Sequence, residues 1–304
     1  KVQEQGLVPA ALPLPPMLRR CAPLLSQPLA ACALEPLSRA GGLVVQTGVQ
    51  LHELGDAQVD ALRDRFTASG AGVLLARAQM PGDERGLRRA ARAVGCGPLV
   101  STARGPVQPY ATRGRRGTLE AQQPRGSDFW HQDNSYLAEP ARFTALYATD
   151  EVPAGEGDTL FAHLGLSWAA LDDAVREAAR GLHAWHCHAH NCGQPHPQHA
   201  DGPRLSPQRH PLVRRHPVTG QEAPLLSPCY LKALDPPPGA CPADAQRLLE
   251  RLVEHATRPE FTFRHRWQPG DLLFWDNHLV MHRATTLEMS PESKRVMFRL
   301  SFGD

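Results

Sequence analysis

The second half of this chain is cut into short runs of β-branched and aromatic residues, and that fragmentation constrains the fold more than any other feature. The runs are RFTALYAT (142–149), DTLFAHL (158–164), EFTFRHRW (260–267), DLLFW (271–275) and RVMFRLSF (295–302). Each has the length and residue preference of a strand, and Gly, Pro, Asp or Asn punctuate the gaps. HPVTGQE (216–222) reads as a turn between two more strands. Two helical patterns interrupt the series. One starts with Ser167 as cap and runs through Arg180 to Gly181, turning Leu171 and Val175 inward. The other starts at Pro242 and carries Leu248, Leu249, Leu252 and Val253. Many short strands, few helices and no internal repeat predict a closed or double-sheet β architecture with helices packed outside. The expected class is α+β, a double-stranded β-helix (jelly roll) core with flanking helices.

Upstream the pattern is mixed. Asp56 is expected to cap a helix whose Val59, Leu62 and Phe66 share a face, with Gly70 just beyond its end. AGVLLAR (71–77) reads as a buried strand, and Asp83 opens a second helix carrying Leu87, Ala91 and Val94. Residues 101–128, rich in Gly, Arg and Pro, have no periodicity and read as a loop, as does the stretch 186–210. Arg104, Arg113, Arg115, Arg116 and Arg125 make the first of these a solvated, basic lid. Residues 1–42 are rich in Pro, Leu and Ala, the end of a leader or an arm, so one domain is expected over 43–304. With 21% charged residues and a net charge of +2, the chain is an ordinary globular one and not a nucleic-acid binder. No stretch approaches the roughly 18 apolar residues of a membrane span. Seven cysteines without a C-x-x-C pair argue against structural zinc and a disulfide framework. A reducing, cytoplasmic setting follows, or an organelle if residues 1–42 are the remnant of a leader. The partner expected is a small molecule, with a homo-oligomer left open.

The chemistry starts in FWHQDNSY (129–136), where His131 and Asp133 stand two apart. On an extended segment such a pair offers an imidazole and a carboxylate to one side. A third ligand is available in GDLLFWDNHLVMHRATT (270–286), where His282 follows a strand and a turn and His278 competes with it. Two histidines and one carboxylate are the donor set that holds Fe(II) with adjacent positions open. The stretch 183–199 also offers His186, Cys187, His188, His190 and Cys192, but it lacks two separated ligand pairs. Composition bias explains it equally well.

The H-x-D of 131–133, GEGDTLFAHL (155–164), WDNHLVMHRATT (275–286) and RVMFRLSFGD (295–304), in that order, resemble the taurine dioxygenase (TauD/TfdA) family of iron- and 2-oxoglutarate-dependent oxygenases. The resemblance runs from about Leu43 to Asp304. It implies His131, Asp133 and His282 as iron ligands, and Thr159 and Arg295 on the distal carboxylate of 2-oxoglutarate. Arginine suits that task through its planar, permanently charged fork. Arg299, four residues after Arg295 on the same strand face, matches a position that grips an anionic substrate. Trp130, Asn134 and Tyr136 flank the ligands at substrate-contacting positions, and Tyr110 is a further aromatic candidate. The implied cofactors are Fe(II), 2-oxoglutarate and O2, and the implied reaction is hydroxylation of a small anionic molecule with release of succinate and CO2. Desaturation or cyclisation at the same iron, or a non-catalytic ligand-binding role, are the alternatives. Asp133 argues against halogenation, which vacates that position. Taurine-specific relatives carry a histidine upstream of the H-x-D, and none lies here between His52 and His131. Another sulfonate, a carboxylate or an aryloxy acid is therefore the expected substrate.

Overall fold

The computed structural model describes residues 34–45, 48–95, 97–99, 107–113, 128–188, 206–236, 239 and 241–303. Its strands are β1 (Leu34–Ser38), β2 (Gly41–Val45), β3 (Val73–Ala76), β4 (Gln108–Arg113), β5 (Phe143–Ala148), β6 (Thr159–His163), β7 (His183–His186), β8 (Gln208–Pro211), β9 (Val213–Arg215), β10 (Glu222–Pro224), β11 (Leu231–Asp235), β12 (Thr262–His265), β13 (Leu272–Asp276), β14 (Val280–Ala284) and β15 (Lys294–Phe302). The helices are α1 (Asp56–Ser69), α2 (Glu84–Ala91), α3 (Leu164–Ala169), α4 (Asp173–Arg180) and α5 (Pro242–Ala256). One sheet has the order β1-β2-β3-β13-β5-β15-β4; smaller sheets have the orders β12-β6-β14, β11-β7-β8 and β10-β9.

The central strand β13 explains the layering. Its side chains alternate between two cores: Leu273 and Trp275 pack with Phe161 of β6 and Met281 of β14, while Leu272 and Phe274 pack with Leu62 and Phe66 of α1 and Leu87 of α2. A strand covered on both faces reads as an unbroken apolar run, which is why DLLFW lacks polar alternation. The large sheet and the small ones thus enclose one core between them, and α1 and α2 cover the outer face of the large sheet. This is the jelly-roll core with flanking helices that the strand pattern predicts. Among the described residues, no helix is long and apolar enough to cross a membrane.

Four local expectations change. Asp56 is the first residue of α1, not its cap; Gly55 holds the cap position, and its N–H donates to Gln58 Oε1 at 3.1 Å. The helix expected from Ser167 to Arg180 is two helices. His163 caps α3 by accepting from Leu166 N at 3.2 Å, Ser167 Oγ turns back onto Leu164 O at 2.9 Å, and α4 begins afresh after Asp172. Part of the loop expected over 101–128 is β4, which pairs with β15; residues 101–106 and 114–127 lie outside the described residues. Pro109 is tolerated there because β4 is an edge strand of its sheet. The boundary expected at residue 43 falls inside the β1–β2 hairpin, so 34–42 belong to the large sheet, while residues 1–33 lie outside the description.

Candidate active site

The site is assembled by strand register. His282 on β14 stands opposite Phe161 of β6 on one side and forms an isolated bridge with His131 on the other. His131 and His282 exchange both backbone hydrogen bonds, at 3.0 and 2.9 Å. Such a pair places its side chains on one face, and the two rings lie with centroids 4.2 Å apart. Asp133 then brings its carboxylate to both: Oδ1 is 3.8 Å from His131 Nε2, and Oδ2 is 3.9 Å from His282 Nε2. The three donor atoms all lie within 4.8 Å of one another, and all three residues are buried. Among the described residues, this is the group of three or more His, Cys, Asp or Glu side chains that could share an ion.

His131 Nδ1 donates to Phe129 O at 2.8 Å, since a carbonyl can only accept. The lone pair is thereby on Nε2, facing the carboxylate, the tautomer a metal-ligating imidazole needs. Asp133 is fixed from behind. Its N–H donates to Asn277 Oδ1 at 3.1 Å, Asn277 Nδ2 donates to Thr144 Oγ1 at 3.1 Å, and Gln132 Nε2 donates to Asn277 O at 2.6 Å. Asn277 lies in the β13–β14 turn, so one amide ties the H-x-D segment to the hairpin carrying His282.

Electrostatics agree with the geometry. Burial alone would raise the Asp133 pKa, but the Arg299 guanidinium at 2.7 Å, then His282 and His131, hold it well below the usual carboxylate range. Burial lowers His131, and burial reinforced by His131 lowers His282 to about 3. The cluster is one carboxylate and two neutral imidazoles at neutral pH. Asp133 Oδ2 is buried without a hydrogen-bond partner. A buried carboxylate oxygen without a hydrogen-bond partner, 3.9 Å from His282 Nε2 and beside the His131 ring, fits a divalent cation.

A pocket of about 430 Å³, counting its open mouth, adjoins the three side chains, and its lining includes Thr159, Arg295, Arg299 and Tyr110. Arg295 is buried and Tyr110 exposed, so the pocket runs from the interior outward. The Gly157–Asp158–Thr159 segment is used residue by residue. Gly157 O accepts from Arg295 Nη1, the Asp158 carboxylate accepts from Arg264 Nε at 2.6 Å, and Thr159 Oγ1 accepts from Trp267 Nε1 at 3.0 Å.

The remaining candidates are placed as follows. His278 stays out of the cluster: its N–H donates to Asp276 Oδ1 at 2.8 Å, and its ring lies 6.0 Å from that of His216. Tyr136 donates to Asn134 Oδ1 at 3.2 Å and packs edge-on against Tyr230 and His188, with centroids 4.9 and 4.4 Å away. Asn134 is buried at φ 56° and Trp130 lies beneath Arg283 at 5.6 Å; neither lines the pocket. Tyr230, 6.1 Å from the His131 ring, escapes sequence reading because a lone aromatic in SPCY carries no motif. The side chains of the basic lid lie outside the described residues, as do His190 and Cys192. His186, in the histidine-rich stretch, is committed to Ser135 Oγ at 3.1 Å.

Comparison with known proteins agrees. A 184-residue stretch is 32% identical to an (S)-phenoxypropionate/alpha-ketoglutarate-dioxygenase of Sphingobium herbicidovorans, covering 57% of this chain and 61% of that one. A 167-residue stretch is 33% identical to an alpha-ketoglutarate-dependent 2,4-dichlorophenoxyacetate dioxygenase of Cupriavidus pinatubonensis, covering 54% and 56%. The match therefore spans less than two thirds of either curated relative. The fold superposes on a taurine dioxygenase from Burkholderia xenovorans with a TM-score of 0.71 at 26% identity, over 90% of this chain and 91% of that one. The profile described as "Taurine catabolism dioxygenase TauD, TfdA family" matches residues 33–301. With that match over most of its length and a jelly-roll fold, this chain belongs to the TauD/TfdA family.

Proposed function

We propose that the chain is an Fe(II)- and 2-oxoglutarate-dependent dioxygenase that hydroxylates a small anionic molecule. The observation that carries this reading is the convergence of His131, Asp133 and His282 beside a pocket holding two arginines. The three side chains would hold the iron. When bound, the iron supplies the activation of O2 that is coupled to decarboxylation of 2-oxoglutarate to succinate and CO2. The protein's share is positioning and charge. Arg295, anchored on Gly157 O, and Thr159 hold the distal carboxylate of 2-oxoglutarate; the guanidinium supplies a charged fork and the hydroxyl a further donor. With the charge of Asp133 balanced by the ion, Arg299 is left for the anionic group of the substrate. Tyr110, on β4 across from β15, lines the outer part of the pocket beside it. Trp275, Leu146 and Ala284 supply apolar wall, which keeps water from the reacting centre. The names of the two curated relatives make aryloxy carboxylates the first substrates to try.

The test is succinate formation in air with Fe(II), ascorbate and 2-oxoglutarate, screened over aryloxy acids, aliphatic carboxylates and alkyl sulfonates. An anionic compound that raises succinate release in the parent protein and not in Asp133→Ala supports the reading. Succinate release at the level of Asp133→Ala with every compound would overturn it.

A further inference from the structure

The hydroxyl of Thr159 faces a question of direction. A threonine hydroxyl has one proton and two acceptor lone pairs, and it rotates to suit its neighbours. A proton pointing away from the pocket would leave a lone pair facing any carboxylate bound there, which repels it. The neighbour that decides is Trp267, whose indole nitrogen can only donate. Trp267 Nε1 lies 3.0 Å from Thr159 Oγ1, with both side chains buried. One lone pair of Thr159 is thereby taken from behind, and its proton is left for a partner in the pocket that Thr159 lines.

The indole is itself held in place. Strands β6 and β12 pair with Thr159 directly opposite His265, two residues before Trp267. The His265 ring meets the indole edge-on, with centroids 4.5 Å apart and planes at 88°. His265 Nε2 is fixed by Asp271 Oδ2 at 3.0 Å, and Arg77 Nη1 holds the same carboxylate at 2.8 Å. Gln268 N, next to Trp267, donates to Asp271 Oδ2 at 3.0 Å. The indole therefore has little freedom to turn its N–H elsewhere.

We propose that Trp267 is a positioning residue for the cosubstrate site: its N–H polarises Thr159 so that the hydroxyl donates to the distal carboxylate of the 2-oxo acid. This rests on the reading of Thr159 and Arg295 as the 2-oxoglutarate site.

The experiment measures 2-oxoglutarate affinity of the Fe(II)-loaded protein without oxygen, from the visible absorption of the chelate, for the parent, Trp267→Phe, Thr159→Val and the double variant. A parent carrying β-(3-benzothienyl)alanine at 267 keeps the shape of the ring and loses only the N–H, so it covers the case in which the phenylalanine variant fails to fold. Loss of one neutral hydrogen bond is worth roughly a two- to tenfold rise in Kd. That rise is expected for either replacement at 267, and the double variant should bind no more weakly than Thr159→Val alone. The affinity for 2-oxobutyrate, which lacks the distal carboxylate, should be unchanged at position 267. A purely structural role would weaken both ligands and multiply with Thr159→Val, and either result overturns the proposal. Unchanged 2-oxoglutarate binding in the 267 variants, with Thr159→Val impaired, overturns the positioning role alone. Unchanged binding in Thr159→Val overturns the cosubstrate reading with it.

Discussion

Both ring nitrogens of His163 are committed: Nε2 donates to Gly70 O at 2.9 Å and Nδ1 accepts from Leu166 N at 3.2 Å. Burial disfavours a second ring proton, which at Nδ1 would also face the Leu166 N–H, so the pKa falls from 6.5 to about 4. Between these values the unfolded chain takes up a proton that the folded one refuses. Stability is complete above about 6.5 and falls as the pH drops toward about 4. His163→Gln keeps a donor and an acceptor without a titrating group. Denaturant unfolding across this range should show its acid loss reduced by about 3 kcal/mol relative to the parent; an equal acid loss would refute the assignment. At this scale the site was legible where chemistry forces a spacing, as in the His131–Asp133 pair. Spacing alone leaves His278 and His282 both open, and only the resemblance carried by WDNHLVMHRATT points to His282; the physical reason, the pairing of His131 with β14, is in no local pattern. Tyr230 and Trp267 act through long-range contacts, and their neighbours in sequence say nothing about them.

Among the elements, the turn before β6 carries the finest tolerance. Gly157 has φ 65°, and a Cβ there would lie 3.0 Å from Met289 Sδ and 3.2 Å from Arg295 Cδ. Gly157→Ala should cost about 1–3 kcal/mol of stability through backbone strain. It should also raise the Kd for 2-oxoglutarate, because Arg295 must give way; unfolding and ligand titration read the two effects separately. An alanine variant that binds like the parent would place the carboxylate elsewhere. Strand β13 offers the complementary test of packing. Phe274 is fully buried between the large sheet and α1 and α2, and Phe274→Ala should lose about 3–5 kcal/mol in denaturant unfolding. Central strands such as β13 were readable because their composition follows from burial on both faces. Strand β4 was not, since its hydrogen bonds come from β15, some 185 residues away in register. The start of α3 was hidden as well, because its cap is the ring of His163 rather than a hydroxyl, and Asp172 precedes α4 without a side-chain cap bond to mark the break.

Over the whole molecule, the site is a cross-link between distant parts of the chain: the segment at 131–133, β6, β14 and β15. A ligand that binds only this arrangement stabilises the folded state by mass action, by about 3 kcal/mol at a hundredfold excess over Kd. A divalent metal should therefore raise the unfolding temperature, and 2-oxoglutarate should raise it further only when the metal is present. Stabilisation by 2-oxoglutarate in metal-free protein would contradict a site built on the ion. The jelly-roll class was legible because many short strands with few helices leave few other architectures, whereas its strand order depends on pairings between distant segments. The central claim, that three distant side chains share one ion, is tested most directly by counting Fe(II) bound without oxygen in the parent, Asp133→Ala, His282→Ala and His278→Ala. The account predicts one iron per chain in the parent and in His278→Ala, and almost none in the other two. Full iron binding by His282→Ala, or its loss in His278→Ala, would contradict it.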